Sequence, residues 1–203
     1  MVALSDRMLM TVEEYFAWDE MQEQRYEYWD DKIVLRIVAM AGALKDHIRV
    51  VRNFSRLLDS AFGDGTCEVF VSDMRVQVNP SRQYFYPDVV VSCDDRDTED
   101  LYLKYPCLII EVLSPSTESI DRGIKFAKYR QIPSLMEYVL VRVKEPEVEV
   151  FRRNEKNQWV LSEYGMDDRI LLESVNVEIT IAELYRRVIF DMAEVSTIPV
   201  SEL

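Results

Sequence analysis

Two acidic residues of this chain stand on stretches that otherwise have the character of buried strands. Asp88 follows Pro87 in an aromatic and valine-rich run, and Glu111 lies within the apolar run 106–113. A carboxylate on a buried strand is costly unless it is paired, hydrogen-bonded or bound to a cation. Because carboxylate oxygens are the ligands that Mg2+ and Mn2+ prefer, we expect Asp88 and Glu111 to share one site for Mg2+ (or Mn2+).

A lysine follows the second acid on the next predicted helix. Phosphodiester cleavage needs a metal ion that activates water and a cation that stabilises the transition state, and Lys125 is the candidate for that cation. Asp121, Lys125 and Tyr129 are spaced four residues apart, so they share one helix face. A surface ion pair between Asp121 and Lys125 explains the same spacing and stays open as an alternative.

These residues resemble the motifs of a known family. The matching stretches are Pro87-Asp88, residues 111–117, residues 121–125 and Tyr129. They are similar to the Uma-type putative restriction endonuclease family, a bacterial branch of the PD-(D/E)xK nuclease superfamily. The resemblance runs from Thr11 to about Phe151, and residues 111–125 are its most specific part.

The resemblance implies a metal-dependent nuclease in which Asp88 and Glu111 bind the metal, together with the backbone carbonyl of Val112. The superfamily usually has a lysine two residues after the second acid, but Leu113 stands at that position. In the family the lysine stands instead on the following helix. The resemblance therefore implies a catalytic role for Lys125, which lies at that position.

Two further residues match positions of the family. Glu27 matches an early glutamate, which implies a third catalytic acid beside the metal. A solvent-exposed carboxylate at the edge of a strand, without a catalytic role, is an equally good interpretation of Glu27. His47, the only histidine, matches a histidine of relatives and is a candidate general base. A lone histidine is more often a helix cap or a half-buried, hydrogen-bonded side chain.

Basic residues lie on the same two helices as His47 and Lys125. Arg49, Arg52 and Arg56 are spaced i, i+3 and i+7, and Arg122 and Lys128 lie on the later helix. If both helices flank the acidic cleft, Arg49, Arg52, Arg122 and Lys128 are candidates to contact DNA phosphates. Solvated helix faces account for the same pattern.

Apolar spacing predicts the elements that position these residues. Helices are expected from about residue 11 into the 20s, over Leu44–Phe62, and over about 119–131 and 181–189. Strands are expected over Tyr26–Trp29, 33–40, Glu68–Val71, 74–78, 84–92, 106–113, 135–143, 148–152 and 159–163.

This order of elements predicts an α/β (α+β) fold with a mixed central β-sheet flanked by helices. The resemblance implies a restriction-endonuclease-like core over about 11–152, followed by a C-terminal extension, 153–203, within one domain. The strand, helix, strand order around Glu111 predicts a crossover unit. Glu111 then lies near the carboxyl end of its strand, where α/β sheets hold ligands.

The composition of the chain limits the classes of function that it can have. The 203 residues are 48% hydrophobic, which suffices for one packed core, and the net charge is -13. That charge argues against a sequence-independent coat on nucleic acid, so DNA contact requires clustered basic residues. The N-terminus has no signal pattern and no apolar run is long enough to span a bilayer, so we expect a cytoplasmic protein without a membrane partner. The three cysteines lack metal-binding spacing, and we expect reduced thiols.

Three functions remain open. The first is a Mg2+-dependent deoxyribonuclease, an enzyme expected to act as a homodimer through apolar strands after Val148. The second is a noncatalytic assembly or regulatory protein on a nuclease scaffold, because a fold does not fix a function. The third is a carboxylate hydrolase such as a glycosidase, which needs paired acids and no metal.

Overall fold

A computed structural model describes residues 10–29, 32–35, 44–79 and 83–190. The helices are α1 (Val12–Asp19), α2 (Leu44–Phe62), α3 (Glu118–Ile120), α4 (Phe126–Tyr129) and α5 (Ile181–Leu184), with a π-helical segment, Asp121–Lys125, between α3 and α4. The strands are β1 (Tyr26–Trp29), β2 (Lys32–Leu35), β3 (Glu68–Val71), β4 (Arg75–Asn79), β5 (Gln83–Phe85), β6 (Val89–Ser92), β7 (Tyr102–Leu103), β8 (Leu108–Leu113), β9 (Glu137–Arg142), β10 (Val148–Arg153), β11 (Trp159–Tyr164), β12 (Arg169–Leu172) and β13 (Val177–Thr180).

The strands form three sheets. The largest has the order β11-β10-β9-β8-β6-β3, and β8 and β9 are parallel within it while its other pairs are antiparallel. A second sheet has the order β2-β1-β5-β4-β7, and β12 pairs with β13. The predicted mixed α+β architecture is confirmed, and the parallel β8–β9 pair is the predicted crossover unit.

Strand β8 lies at the centre of the packing, with every residue buried. Because side chains alternate along a strand, its two faces join two different cores. Leu108, Ile110 and Val112 pack in the core that includes the buried face of α2. Ile109 and Leu113 pack in a core with Tyr129 and Phe85.

Glu111 shares the second face of β8, between Ile109 and Leu113. That face looks toward the helical stretch 118–129, which we call the site helix. It contains α3, the π-helical segment and α4 without a break. The predicted helix over 119–131 is therefore confirmed in position, but its middle is a π-helix, a form that often occurs at functional sites.

The predicted single strand over 84–92 is wrong. The chain instead forms β5 in the five-stranded sheet and β6 in the six-stranded sheet, with Tyr86, Pro87 and Asp88 between them. Pro87 has no backbone N–H and cannot continue a sheet ladder, which accounts for the break. Asp88 therefore lies where the chain passes from one sheet to the other.

Other element boundaries also differ from the prediction. The last helix ends at Leu184 and not near 189, and β7, β12 and β13 were not predicted. These three strands are short, which makes their periodicity weak. Of the strand expected over 33–40, residues 36–40 lie outside the described part of the chain.

The expectation of three reduced thiols is wrong. Cys67 and Cys93 form a disulfide, and Cys107 is a free thiol. The cause is register, because Glu68 on β3 pairs with Ser92 on β6, so that residues 67 and 93 face each other just beyond the strand ends. In the part of the chain that the structure describes, no helix has the length and apolar character needed to cross a membrane.

Candidate active site

Glu111 is the central carboxylate of the site. Its Oε1 accepts hydrogen bonds from the Lys125 ammonium at 3.2 Å and from the Tyr129 hydroxyl at 3.1 Å. Its Oε2 accepts the backbone N–H of Asp88 at 3.3 Å. The Glu111 side chain on β8 therefore contacts both the site helix and the segment before β6.

Asp88 lies directly beside Glu111. Its Oδ2 accepts the backbone N–H of Val112 at 2.8 Å and lies 3.2 Å from His47 Nε2. In a strand the N–H and C=O of one residue point to the same side, so the Val112 carbonyl faces the side on which Asp88 lies. The structure thus brings together the two predicted acids and the predicted histidine.

Lys125 is buried among carboxylates. Its Nζ lies 2.8 Å from Glu27 Oε1, 3.2 Å from Glu111 Oε1 and 3.6 Å from Asp121 Oδ1. Burial alone would lower the pKa of Lys125, but the carboxylates of Glu111, Glu27 and Asp121 outweigh it and raise that pKa above the ordinary value. Lys125 is therefore a fixed positive charge at the centre of the site.

Glu27 faces the site and not the solvent. It is buried on β1, and its Oε1 accepts the backbone N–H of Tyr86 at 3.3 Å in addition to the Lys125 contact. Its Oε2 accepts the indole N–H of Trp29 at 3.0 Å. The five-stranded sheet thereby contributes a third acid to a site that is otherwise built on the six-stranded sheet and its helices.

The site carries excess negative charge. The four buried carboxylates are those of Glu27, Asp88, Glu111 and Asp121. Three of them, Glu27, Glu111 and Asp121, contact the ammonium of Lys125. Burial raises the pKa of Asp121, with Asp88 and Glu27 adding to the rise while Lys125 and a hydrogen bond from Thr117 oppose it. A hard divalent cation would balance this charge, and the oxygen donors of Asp88 and Glu111 fit such an ion.

The cluster supplies only part of a coordination sphere from side chains. Within the described residues, no group of three or more His, Cys, Asp and Glu side chains has the arrangement of a metal site. An ion held by Asp88 and Glu111 would take further oxygen ligands from the Val112 carbonyl and from water, as Mg2+ does in many proteins.

The predicted phosphate-contacting residues lie in different surroundings. Arg49 pairs with Asp46 at 2.5 Å, and Arg52 is on the exposed face of α2. Arg122 pairs with Glu118 at 2.8 Å and also with Glu149. Lys128 is half-buried on the site helix. The contact of these four basic residues with DNA stays a prediction.

Sequence reasoning did not assign a site role to Asp121 or Tyr129. Both contact predicted site residues: Asp121 pairs with Lys125, and the Tyr129 hydroxyl donates to Glu111. The four-residue spacing of Asp121, Lys125 and Tyr129 was the available signal, because it places all three on one helix face.

Comparisons with known proteins support one family. The family model for Uma2, described as putative restriction endonuclease, matches residues 12–183. The "Uncharacterized protein slr1290" of Synechocystis sp. is 36% identical over 182 residues, which cover 89% of this chain and 94% of that protein. The "Uncharacterized protein sll1609" of the same organism is 37% identical over 166 residues, with 80% and 92% covered.

A solved structure shares the fold. The crystal structure of a putative nuclease belonging to DUF820 from Anabaena variabilis superposes with a TM-score of 0.70 at 18% identity, covering 87% of this chain and 97% of that chain. The chain thus shares the fold of that structure, and the match over residues 12–183 shows that the chain belongs to the Uma2 family of putative restriction endonucleases.

Proposed function

We propose that the protein is a metal-dependent endonuclease that hydrolyses phosphodiester bonds of DNA with Mg2+ (or Mn2+) as cofactor. The observation that carries this proposal is the meeting of Asp88, Glu111 and Lys125 in one cluster, since Lys125 Nζ contacts Glu111 and the Asp88 N–H donates to the same carboxylate. Two acids and a lysine at one point are the groups that this reaction requires.

Each residue of the cluster has a defined task in the proposal. Asp88 and Glu111, with the Val112 carbonyl, hold the metal ion, which when bound activates water and neutralises charge on the phosphate. Lys125 stabilises the negative charge that develops on the phosphate oxygens. Glu27 holds the Lys125 ammonium in place at 2.8 Å.

His47 is positioned to move a proton. Its Nε2 lies 3.2 Å from Asp88 Oδ2, so the carboxylate orients the ring toward the site. In the proposal the Nε2–H group donates a hydrogen bond to the Asp88 carboxylate, so the other ring nitrogen, Nδ1, is the one that takes a proton from the attacking water. Its location on the first part of α2 puts it on the same helix as Arg49 and Arg52, which with Arg122 and Lys128 are the proposed DNA contacts.

A chain with a net charge of -13 approaches DNA only through local positive charge. The Uma2 family membership supports DNA as the partner, and a homodimer would present two sites to the two strands of a duplex. The homodimer is part of this proposal.

A cleavage assay tests the proposal. Single-stranded, duplex and branched DNA are incubated with the purified protein and Mg2+ or Mn2+, with and without a chelator. We expect cleavage that the chelator abolishes and that Asp88→Ala loses, while Lys156→Ala in the exposed turn between β10 and β11 retains it. Full activity of Asp88→Ala would refute the metal assignment, and chelator-resistant hydrolysis of a glycoside would support the carboxylate hydrolase instead.

One observation favours a noncatalytic assembly or regulatory role. Asp88, Glu111 and Lys125 are only 6%, 3% and 6% exposed, and the Lys125 ammonium is already surrounded by carboxylates. A buried ion cluster can serve structure alone. Under this second function, substitutions in the cluster lower stability, and neither the wild type nor the Lys156→Ala control cleaves any of the three DNA forms.

A further inference from the structure

The three cysteines meet at one end of three neighbouring strands. Cys67 directly precedes β3, Cys93 directly follows β6 and Cys107 directly precedes β8, and these strands are adjacent in the six-stranded sheet. The Cys67–Cys93 disulfide joins β3 to β6. The Cys107 sulfur lies 3.7 Å from the Cys93 sulfur on the other side.

We propose that these residues form a thiol–disulfide exchange site, in which the Cys107 thiolate attacks the Cys93 sulfur of the Cys67–Cys93 disulfide. The S–S bond between Cys93 and Cys67 breaks, a bond between Cys107 and Cys93 forms, and the electron pair leaves with the Cys67 sulfur. The proton lost by Cys107 is replaced by one taken up at Cys67 from water. The exchange involves no net oxidation.

The geometry supports attack at Cys93 in particular. The 3.7 Å separation of the Cys107 and Cys93 sulfurs is close to the roughly 3–3.5 Å of a near-attack arrangement. Cys107 and Cys67 lie on strands that are separated by β6, so Cys93 is the sulfur that both can reach. Cys93 is therefore the shared partner of two mutually exclusive disulfides.

The surroundings hold Cys107 as a thiol until it reacts. Its S–H donates to the Val91 carbonyl at 3.5 Å, and burial together with the Glu137 carboxylate raises the pKa of Cys107 to about 11. Because the thiolate is the nucleophile, this raised pKa makes exchange slow near neutral pH. The Cys67–Cys93 bond is the form that the structure shows. Cys67, half-exposed on an edge strand, is the sulfur that small thiols and disulfides can reach after release.

The exchange changes which strands are tied together. Before it, the edge strand β3 is fixed to β6, and after it β6 is fixed to β8. Asp88 lies directly before β6, at the opposite end of that strand from Cys93, and Glu111 lies inside β8, beyond Ile109 and Ile110 from Cys107. The site is thus separate from the acidic cluster and does not depend on the proposed nuclease activity.

Disulfide mapping of single variants tests this inference. Folded wild type, Cys67→Ser and Cys93→Ser proteins are incubated with oxidised glutathione, quenched in acid, alkylated and digested for mass spectrometry. We expect Cys67→Ser to form the Cys93–Cys107 bond more than about tenfold faster than Cys93→Ser forms Cys67–Cys107, because only the first pair is preorganised. Wild type, which starts with the Cys67–Cys93 bond, should yield a fraction with Cys93–Cys107 and a free Cys67.

Two controls keep the outcome unambiguous. Circular dichroism and a nonreducing gel establish that each variant is folded and that bonds are within one chain, and Cys67→Ala replaces Cys67→Ser if the serine variant does not fold. Cys107→Ser should retain Cys67–Cys93 without ever freeing Cys67. Equal rates for the two pairs, or wild type that never forms Cys93–Cys107, would overturn the proposal.

Discussion

The Lys125 ammonium lies 2.8 Å from Glu27 and 3.2 Å from Glu111, and so it joins two different sheets. Glu27 belongs to β1 in the five-stranded sheet, and Glu111 belongs to β8 in the six-stranded sheet. The site helix supplies the cation between them. The same contact therefore holds the fold together and assembles the proposed active site.

Replacing Lys125 by Met should destabilise the protein strongly. The variant leaves the buried carboxylates of Glu27, Glu111 and Asp121 without their cation, and removing one partner of a buried ion pair costs about 3–5 kcal/mol. Urea unfolding measures the loss, and Lys156→Met, in an exposed turn, serves as the control. A Lys125→Met protein as stable as this control would contradict the central role of the ammonium.

Replacing Tyr129 by Phe should affect metal binding more than stability. The hydroxyl donates to Glu111 Oε1 at 3.1 Å, and its loss should cost about 0.5–1.5 kcal/mol of unfolding free energy. Tyr138→Phe is a matched control, since that hydroxyl donates at 3.0 Å to the Asp121 carbonyl and not to a proposed metal ligand. Mn2+ affinity should fall in Tyr129→Phe and stay near wild type in Tyr138→Phe. Equal affinities of the two variants would show that Tyr129 does not position Glu111.

The Asp121 carboxyl should make stability depend on pH. Burial raises its pKa above the ordinary value of about 3.9, so the folded chain holds this proton more tightly than the unfolded chain does. The stability that the proton contributes is present below the unfolded pKa and is lost as pH rises through the folded pKa. The Asp121→Asn variant has no such carboxyl and does not lose this stability. The free energy of unfolding of the variant minus that of wild type should therefore increase from pH 4 to pH 7.

Urea unfolding at the two pH values measures this difference. Asp167→Asn, at an exposed position, is the matched control and should track the wild type at both pH values. A fall in the relative stability of Asp121→Asn toward neutral pH would mean that its attraction to Lys125 outweighs its burial.

Much of this architecture is readable from local pattern. The apolar spacing of Leu44–Phe62 predicts α2 with the observed bounds, and the apolar runs predict β8 and β9 to within two residues at each end. The acids at Asp88 and Glu111 are also identifiable, because each is a charged residue in a run with the character of a buried strand. Lys125 is identifiable because it lies on the helix that follows the Glu111 strand and matches a lysine position of the family.

The remaining features depend on contacts between distant residues. The Cys67–Cys93 bond follows from the β3–β6 register, which no spacing within either segment specifies. Likewise, the π-helical segment Asp121–Lys125 has no distinctive composition, and a regular helix is the natural prediction there. The break at Pro87 did have a local signal, since proline is disfavoured inside a sheet.

A second buried ion pair should be important for folding. Arg75 contacts Asp19 at 2.6 Å, and the Tyr86 hydroxyl donates to the same carboxylate oxygen at 2.6 Å. Arg75→Met should therefore lower the free energy of unfolding by about 3–5 kcal/mol. The matched control is Arg96→Met, whose side chain is 66% exposed against 5% for Arg75 and whose loss should change little. Similar effects of both variants in urea would show that the Asp19 cluster is not a determinant of stability.

The most direct test of the proposed site is calorimetric titration of Mn2+ into wild type and Glu111→Gln, with Glu163→Gln on the exposed part of β11 as the control. The wild type and the control should bind the ion and gain stability, by about 2.7 kcal/mol at a concentration 100 times the Kd. Glu111→Gln, shown to be folded by circular dichroism, should show neither the binding heat nor the gain in stability. Binding of equal strength in Glu111→Gln, or no binding in the wild type, would contradict the account.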